Sequence, residues 1–210
     1  ASFMAKPFEN QAGSGMHINV SVNGLIGRNI FSSDDPQGTP ELRHAIAGMI
    51  ESISDGFALF APHGNSYRRF RANSYAPVAP TWGVNNRTVS FRIPAGPPAS
   101  RHVEHRVCGA DANPYLAVAA VLAGMHDGMK RRLDPGPAVV GNGYDRDNEG
   151  DRKAPRDWSA AVDCFEKSRL MREYFGDIFV DNYTIVKRVE QDRYFASIPK
   201  IDYDWYLRNA

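Results

Sequence analysis

The chain has 210 residues, 42% of them hydrophobic and 23% charged, with 18 Gly and 14 Pro, a composition of folded globular proteins that excludes disordered, fibrous and membrane-embedded classes. A formal net charge of +1 supplies no global field to attract nucleic acid or an anionic membrane, so affinity for phosphate has to come from local clustering. Two cysteines, Cys108 and Cys164, are too few for a disulfide framework and lack CxxC spacing, which fits a reducing, cytoplasmic compartment.

The chain opens on Ala1-Ser2-Phe3-Met4-Ala5-Lys6-Pro7, an apolar run that reads as a strand and, without an initiator Met, as the start of a piece of a longer protein. From Gly15 to Val22, Met16, Ile18, Val20 and Val22 fall on one parity and His17, Asn19 and Ser21 on the other, which predicts a half-buried strand. Thr39-Pro40-Glu41 supplies a cap, a first-position Pro and an acid in the first turn. Apolar Leu42, Ile46, Met49, Ile50, Ile53 and Phe57 follow at helical spacing, so a helix is expected over 40–60. Alternation over Thr88 to Ile93, stopped by Pro94, predicts another strand. His102 to Val107 reads as a fourth, with His102, Glu104 and Arg106 on one face.

Asn113-Pro114 repeats the cap and first-position logic before an Ala-rich run, predicting a closely packed helix over 114–132. From Asp134 to Arg156 Gly, Pro, Asp and Asn dominate, the composition of a surface loop. It separates residues 1–135 from a helical region over 157–210 of the same domain. No membrane-length apolar run is present, and the acceptor-like triplets Asn86-Arg87-Thr88 and Asn182-Tyr183-Thr184 read as chance matches. Strands first and helices last predict an α+β fold, an antiparallel curved sheet flanked by helices with a helical C-terminal tail.

Between Asp55 and Glu104 the sequence has no acid and no Lys, but it holds Arg68, Arg69, Arg71, Arg87, Arg92 and Arg101. A guanidinium fork matches carboxylate and phosphate oxygens, so this one-signed stretch suits an anionic substrate. Glu104, on the polar face of its strand, can hold a hard cation, and Arg106 beside it a second anion. His17 is the other candidate ligand. Spacing alone does not pair them.

Phe3-Met4-Ala5-Lys6-Pro7, Gly13-Ser14-Gly15-Met16-His17, Asn65-Ser66-Tyr67-Arg68-Arg69, Asn86-Arg87-Thr88, Phe91-Arg92-Ile93-Pro94, Glu104-His105-Arg106 and Ala112-Asn113-Pro114-Tyr115-Leu116 resemble, in order and spacing, successive blocks of the catalytic domain of the glutamine synthetase family. The resemblance implies part of that catalytic domain, whose fold is shared with the guanido kinases. It also implies a ligase that phosphorylates the γ-carboxylate of glutamate with ATP, in the presence of Mg2+ or Mn2+, before an amine displaces the phosphate. Under it, His17 and Glu104 hold a metal, Asn19, Ser21 and His102 contact nucleotide, and Gly13, Arg69 and Arg106 bind the amino-acid substrate. Arg87 and Arg92 face the transferring phosphoryl group. A full-length homo-oligomeric ring is implied, and further metal ligands upstream, so the 210-residue chain alone is expected to be inactive.

One block departs from the family. Where glutamine synthetases carry a loop glutamate that takes a proton from ammonium, Phe70-Arg71-Ala72-Asn73-Ser74-Tyr75-Ala76-Pro77-Val78 has Tyr75 and no carboxylate. A phenol with an ordinary pKa near about 10 is a poor base for that step, whereas an aromatic wall suits the methylenes of a larger amine. The pattern resembles the branch that makes γ-glutamyl polyamines and alkylamines. Glutamine synthesis itself and a noncatalytic descendant are the alternatives. Tyr144, in Asn142-Gly143-Tyr144-Asp145, falls in the loop that some bacterial members adenylylate, but its flanks Arg146-Asp147-Asn148 depart from the family pattern, and it reads as a packing anchor.

Overall fold

The computed structural model describes residues 1–145 and 154–208. Four strands of three residues each, β1 (Ile18–Val20), β2 (Trp82–Val84), β3 (Phe91–Ile93) and β4 (Val103–His105), form one sheet in the order β1-β4-β3-β2. β4 pairs antiparallel with both β1 and β3, but β2 and β3 run parallel, so the sheet is mixed where an antiparallel one was expected. β2 was not anticipated. The strand expected in the opening apolar run does not form, and Ala1 to Pro7 is irregular.

Register gives the sheet two chemically distinct faces, because directly paired residues point to the same side. Ile18, His105, Phe91 and Trp82 form one row across all four strands, and His105, Phe91 and Trp82 are buried in the core. Asn19, Glu104, Arg92 and Gly83 form the next row, on the face away from that core. Parity is clean: Met16, Ile18, Val20 and Val22 are half-buried while His17, Asn19 and Ser21 are exposed.

The helices cover the apolar face. Thr39 caps α1 (Pro40–Glu51), its hydroxyl accepting from the Leu42 amide, and Asn113 caps α3 (Pro114–Arg131), accepting from the amides of Tyr115 and Leu116. The helix expected over 40–60 is two helices. Ser52 leaves helical backbone (φ −90°, ψ 4°) while its amide and its Oγ both donate to the Gly48 carbonyl, at 2.9 and 2.8 Å, and the backbone restarts as α2 (Ile53–Phe60). In the tail, Asp157 caps α4 (Trp158–Lys167) and Ser168 caps α5 (Arg169–Phe175). They are followed by α6 (Asp177–Phe195) and α7 (Lys200–Tyr206). Trp158, Val162, Phe165, Met171 and Val180 from this tail join Phe57, Phe60 and Ala120 in one core.

The expected surface loop lies partly outside the described residues. Its first part is docked rather than free: the Val139 amide donates to the Trp82 carbonyl at 2.8 Å, and Trp82 Nε1 donates to the Gly136 carbonyl. Val139 is buried.

α1 and α3 cross at glycine. A Cβ at Gly48 would lie 2.0 Å from the Gly124 carbonyl oxygen and 2.6 Å from Gly128 Cα, and all three positions are buried. Backbone meets backbone here, so no side-chain rotation relieves the overlap. Gly48→Ala is therefore expected to lower unfolding free energy by about 3 kcal/mol or more despite the roughly 1 kcal/mol that alanine adds in helix propensity. Urea denaturation reads the result, and a neutral or stabilising substitution would show that the crossing is looser than described.

Candidate active site

On the polar face the centre is Glu104, whose side chain is only 9% exposed. Three cationic or protonatable groups from three strands or their extensions converge on it. His17 Nδ1 lies 2.9 Å from Oε1, Arg92 Nη1 donates to Oε2 at 2.9 Å, and Arg106 Nη1 donates to Oε1 at 3.0 Å. Register explains the convergence: Glu104 pairs with Asn19 on one side and Arg92 on the other, while His17 and Arg106 are the same-face neighbours two residues away. Burial pushes the Glu104 carboxyl up, but hydrogen bonds from His17 and Arg92 and the charge of Arg106 outweigh it and hold the group at about 2.

Each arginine of this cluster reaches further. Arg92 Nη2 donates to Asn85 Oδ1 at 2.8 Å, and Asn85 holds φ of +48°. Sequence reasoning missed Asn85. Its only local signal is an Asn-Asn pair before a strand, the residue type that tolerates left-handed backbone in a turn. Arg106 is 4% exposed and its Nη2 donates to the carbonyls of Arg87 at 3.1 Å and Tyr75 at 3.5 Å. Arg69, also buried, donates through Nη2 to the Val107 carbonyl at 2.7 Å, while its Nη1 has no hydrogen-bond partner among the described residues. Burial pulls the Arg69 guanidinium below its usual range. Gly13 permits this packing, since a Cβ there would lie 2.5 Å from Arg69 Cγ and 2.9 Å from the Ala5 carbonyl oxygen.

The other sequence-predicted residues are less tightly gathered. Asn19 and Ser21 share the face of His17 and are exposed. His102 turns its Nδ1 to the Ser100 carbonyl at 2.7 Å. Arg87 is exposed, and its side chain has no ion-pair partner among the described residues. Of the arginine-only stretch, Arg92 alone meets Glu104, and Arg101 is pinned elsewhere, on the Ser33 carbonyl. His105, between Glu104 and Arg106, is a core residue. Its ring stands 4.5 Å from that of Phe60 and 5.5 Å from that of Phe91, and burial lowers its pKa to about 3, so it is neutral.

A cleft of about 370 Å3 opens at Arg69 and is lined also by Lys6, Glu9, Gly13, Arg68, Arg71 and Tyr75 among others. Tyr75 is 68% exposed and, like Asn73, has positive φ (+56° and +60°), a conformation that costs a non-glycine residue about 1 kcal/mol or more. Glu9 is a carboxylate that local motif reading did not bring here. It comes from a segment more than 60 residues before the loop of Tyr75. Among the described residues no group of three or more His, Cys, Asp or Glu is placed to hold a metal, and no helix is long and apolar enough to cross a membrane.

Comparison with known proteins follows this geometry. The family described as glutamine synthetase, catalytic domain, matches residues 1–206. A γ-glutamylputrescine synthetase of Escherichia coli K12 is 40% identical over 100% of this chain, which covers 44% of that protein. A type-1 glutamine synthetase of Dictyostelium discoideum is 35% identical over 99% of this chain, covering 40% of its own length. A solved complex of GmaS with ADP superposes with a TM-score of 0.87 at 27% identity, over 99% of this chain and 49% of that one. This chain thus spans less than half the length of each.

Glu104 sits below its unfolded value near 4.5, so its contribution to stability is complete above about pH 4.5 and is lost as pH falls through about 2. Glu104→Gln is expected to cost about 3 kcal/mol at pH 7 and to flatten that acid limb. Unfolding by urea between pH 2 and 7, with chelator present, checks it. Parallel acid limbs in wild type and variant would mean that the carboxylate is not held as described.

Proposed function

We propose, from the premise that this chain belongs to the glutamine synthetase catalytic-domain family, that the protein it forms part of joins the γ-carboxylate of glutamate to an alkylamine or polyamine with ATP, through a γ-glutamyl phosphate. The observation that carries the reading is the cluster around Glu104. An acid surrounded by His17, Arg92 and Arg106 on one sheet face is a poor stabilising device by itself, since desolvating several charges costs about as much as their attraction returns. It suits a place where phosphate oxygens and a divalent cation meet.

His17 and Glu104 fit such a cation. Their facing nitrogen and oxygen, 2.9 Å apart, have the separation of adjacent ligands on an octahedral ion at about 2.1 Å, and Glu104 stays anionic at any working pH. Mg2+ or Mn2+ bound there would neutralise phosphate oxygens during transfer. The chain's own residues do the rest. Arg92, held by Glu104 and Asn85, presents a fixed positive charge to the phosphoryl group, and Arg87, exposed beside it in the turn, has a free fork to add. Arg69, its stem packed on Gly13 and its buried Nη1 near Gly109 with no hydrogen-bond partner among the described residues, would answer a substrate carboxylate, and Arg106 orients the same wall. Asn19, Ser21 and His102 line the strand face on which nucleotide would lie. Homo-oligomerisation into a ring, which would complete the site, belongs to the same reading.

Tyr75 decides the acceptor. No carboxylate stands in residues 70–78 to take a proton from ammonium, and an exposed phenol ring at the cleft mouth offers apolar surface to methylenes. A specific observation favours a second reading, glutamine synthesis: Glu9 lines the same cleft and supplies a carboxylate from outside the loop. Product mass from the full-length enzyme with ATP, glutamate and a panel of amines tests both. The expected outcome is a kcat/KM for an alkylamine or polyamine at least about tenfold above ammonium, with Tyr75→Glu raising ammonium use by about the same factor. Faster turnover with ammonium, lost in Glu9→Gln, would establish the second reading instead.

A further inference from the structure

The loop that carries Tyr75 is strained and largely exposed over residues 71–75, while Ala76 and Pro77 after it are buried. Asn73 and Tyr75 are both left-handed, Arg71, Ala72, Asn73 and Tyr75 are exposed, and no regular element runs through residues 71–78. Beside the Arg71 amide bond to the Arg69 carbonyl at 3.1 Å, its internal bonds run through one hydroxyl: Ser74 Oγ shares its proton between the carbonyls of Arg69 and Arg71 and accepts from the Ala76 amide at 3.4 Å. Local bonds of this kind shape a turn but do not fix it against the sheet. Fixing needs contacts from distant chain.

Among the described residues two hydrogen bonds from distant chain reach it, beside the burial of Ala76 and Pro77 at its end. One is the long bond from Arg106 Nη2 to the Tyr75 carbonyl, 3.5 Å. The other comes from 68 residues downstream, where Tyr144 Oη donates to the Ala76 carbonyl at 3.1 Å. The Tyr144 phenol also lies against the Tyr75 backbone and the Ser74 side chain. Tyr144 is itself anchored. The Gly143 amide donates to Thr88 Oγ1 at 2.7 Å, Asn86 Nδ2 donates to the Gly141 carbonyl at 2.9 Å, and a Cβ at Gly143 would collide with the Thr88 carbonyl at 2.9 Å. Hence the segment before Tyr144 is fastened to the turn holding Arg87, and its phenol reaches across to the loop holding Tyr75.

We infer that Tyr144 is a positioning residue for the amine acceptor: its hydroxyl latches the Tyr75 loop to the turn of Arg87, setting the distance between acceptor wall and phosphoryl-facing arginine. The inference rests on the ligase reading for its catalytic meaning, but the latch itself does not. It separates a directional hydroxyl from a ring that merely fills space, because Tyr144→Phe removes the first and keeps the second.

The test uses the full-length protein with Tyr144→Phe and Tyr144→Ala. In Tyr144→Phe, the KM for the amine is expected to rise about fivefold, the scale of one net hydrogen bond, with the KM for ATP unchanged within about twofold. Hydrogen exchange of the amides in 71–78 is expected to quicken by a similar factor while β3 and β4 keep their protection. A packing role would leave Tyr144→Phe like wild type and affect only Tyr144→Ala. That result, or wild-type exchange in 71–78, overturns the proposal. Should wild type form no γ-glutamyl amine, the ligase reading fails, and the exchange measurement still decides the latch by itself.

Discussion

Glu104 is the carboxylate on which His17, Arg92 and Arg106 converge across the polar sheet face, and the geometry around it depends on that charge. Without it, Arg92 and Arg106 would stand beside each other in a partly dehydrated site, where like charges repel strongly. With it, each arginine gives Nη1 to the acid and turns Nη2 outward, Arg92 to Asn85 and Arg106 to the carbonyls of Arg87 and Tyr75. The acid therefore sets the position of two turns that lie outside the sheet. Because one negative charge answers two fixed positive ones, the face retains a surplus that an anionic substrate can complete.

A sheet of three-residue strands is a weak platform by itself. Its rigidity comes from the opposite face, where Trp82, Phe91 and His105 lie under helices that approach closely because Gly48, Gly124 and Gly128 remove side chains from their crossing. His105 shows how strongly register governs chemistry. It adjoins Glu104 in sequence, yet it points to the apolar side, both ring nitrogens lack hydrogen-bond partners among the described residues, and burial keeps it uncharged. Adjacent residues on one strand thus do opposite work, one organising charge and one filling a core.

Periodicity and caps made much of this legible in the sequence. The parity of Met16 to Val22, the Thr39-Pro40 and Asn113-Pro114 starts and the helical tail all rest on local rules, and local rules survive folding at these positions. What failed depended on partners distant in sequence. β2 is too short for alternation to stand out, and its parallel pairing with β3 is a matter of topology. The break at Ser52 lies in the backbone of a single residue, at φ −90° and ψ 4°, which no Gly or Pro in the sequence marks. His17 and Glu104 are brought together only by strand register, which spacing does not encode. The docking of Gly136 to Tyr144 onto the sheet edge and the arrival of Glu9 beside Tyr75 are likewise long-range, so a loop composition and a motif scan pass over both.

The division of labour between sheet and loop follows from these constraints. Under the proposed ligase reading, groups that meet phosphate and carboxylate have to be closely fixed, and the sheet face would fix them through their shared acid. An acceptor amine asks for less, a wall of suitable polarity and length, and such a wall can be carried by an irregular loop held at two points. Left-handed backbone at Asn73 and Tyr75 is tolerable there because Ser74, Arg106 and Tyr144 hold the surrounding carbonyls. Changing the residue at position 75 leaves those backbone bonds in place, so acceptor preference can vary while the machinery around Glu104 stays the same. That separation is the physical reason a family able to use ammonium or larger amines would differ first in this loop and last in the sheet.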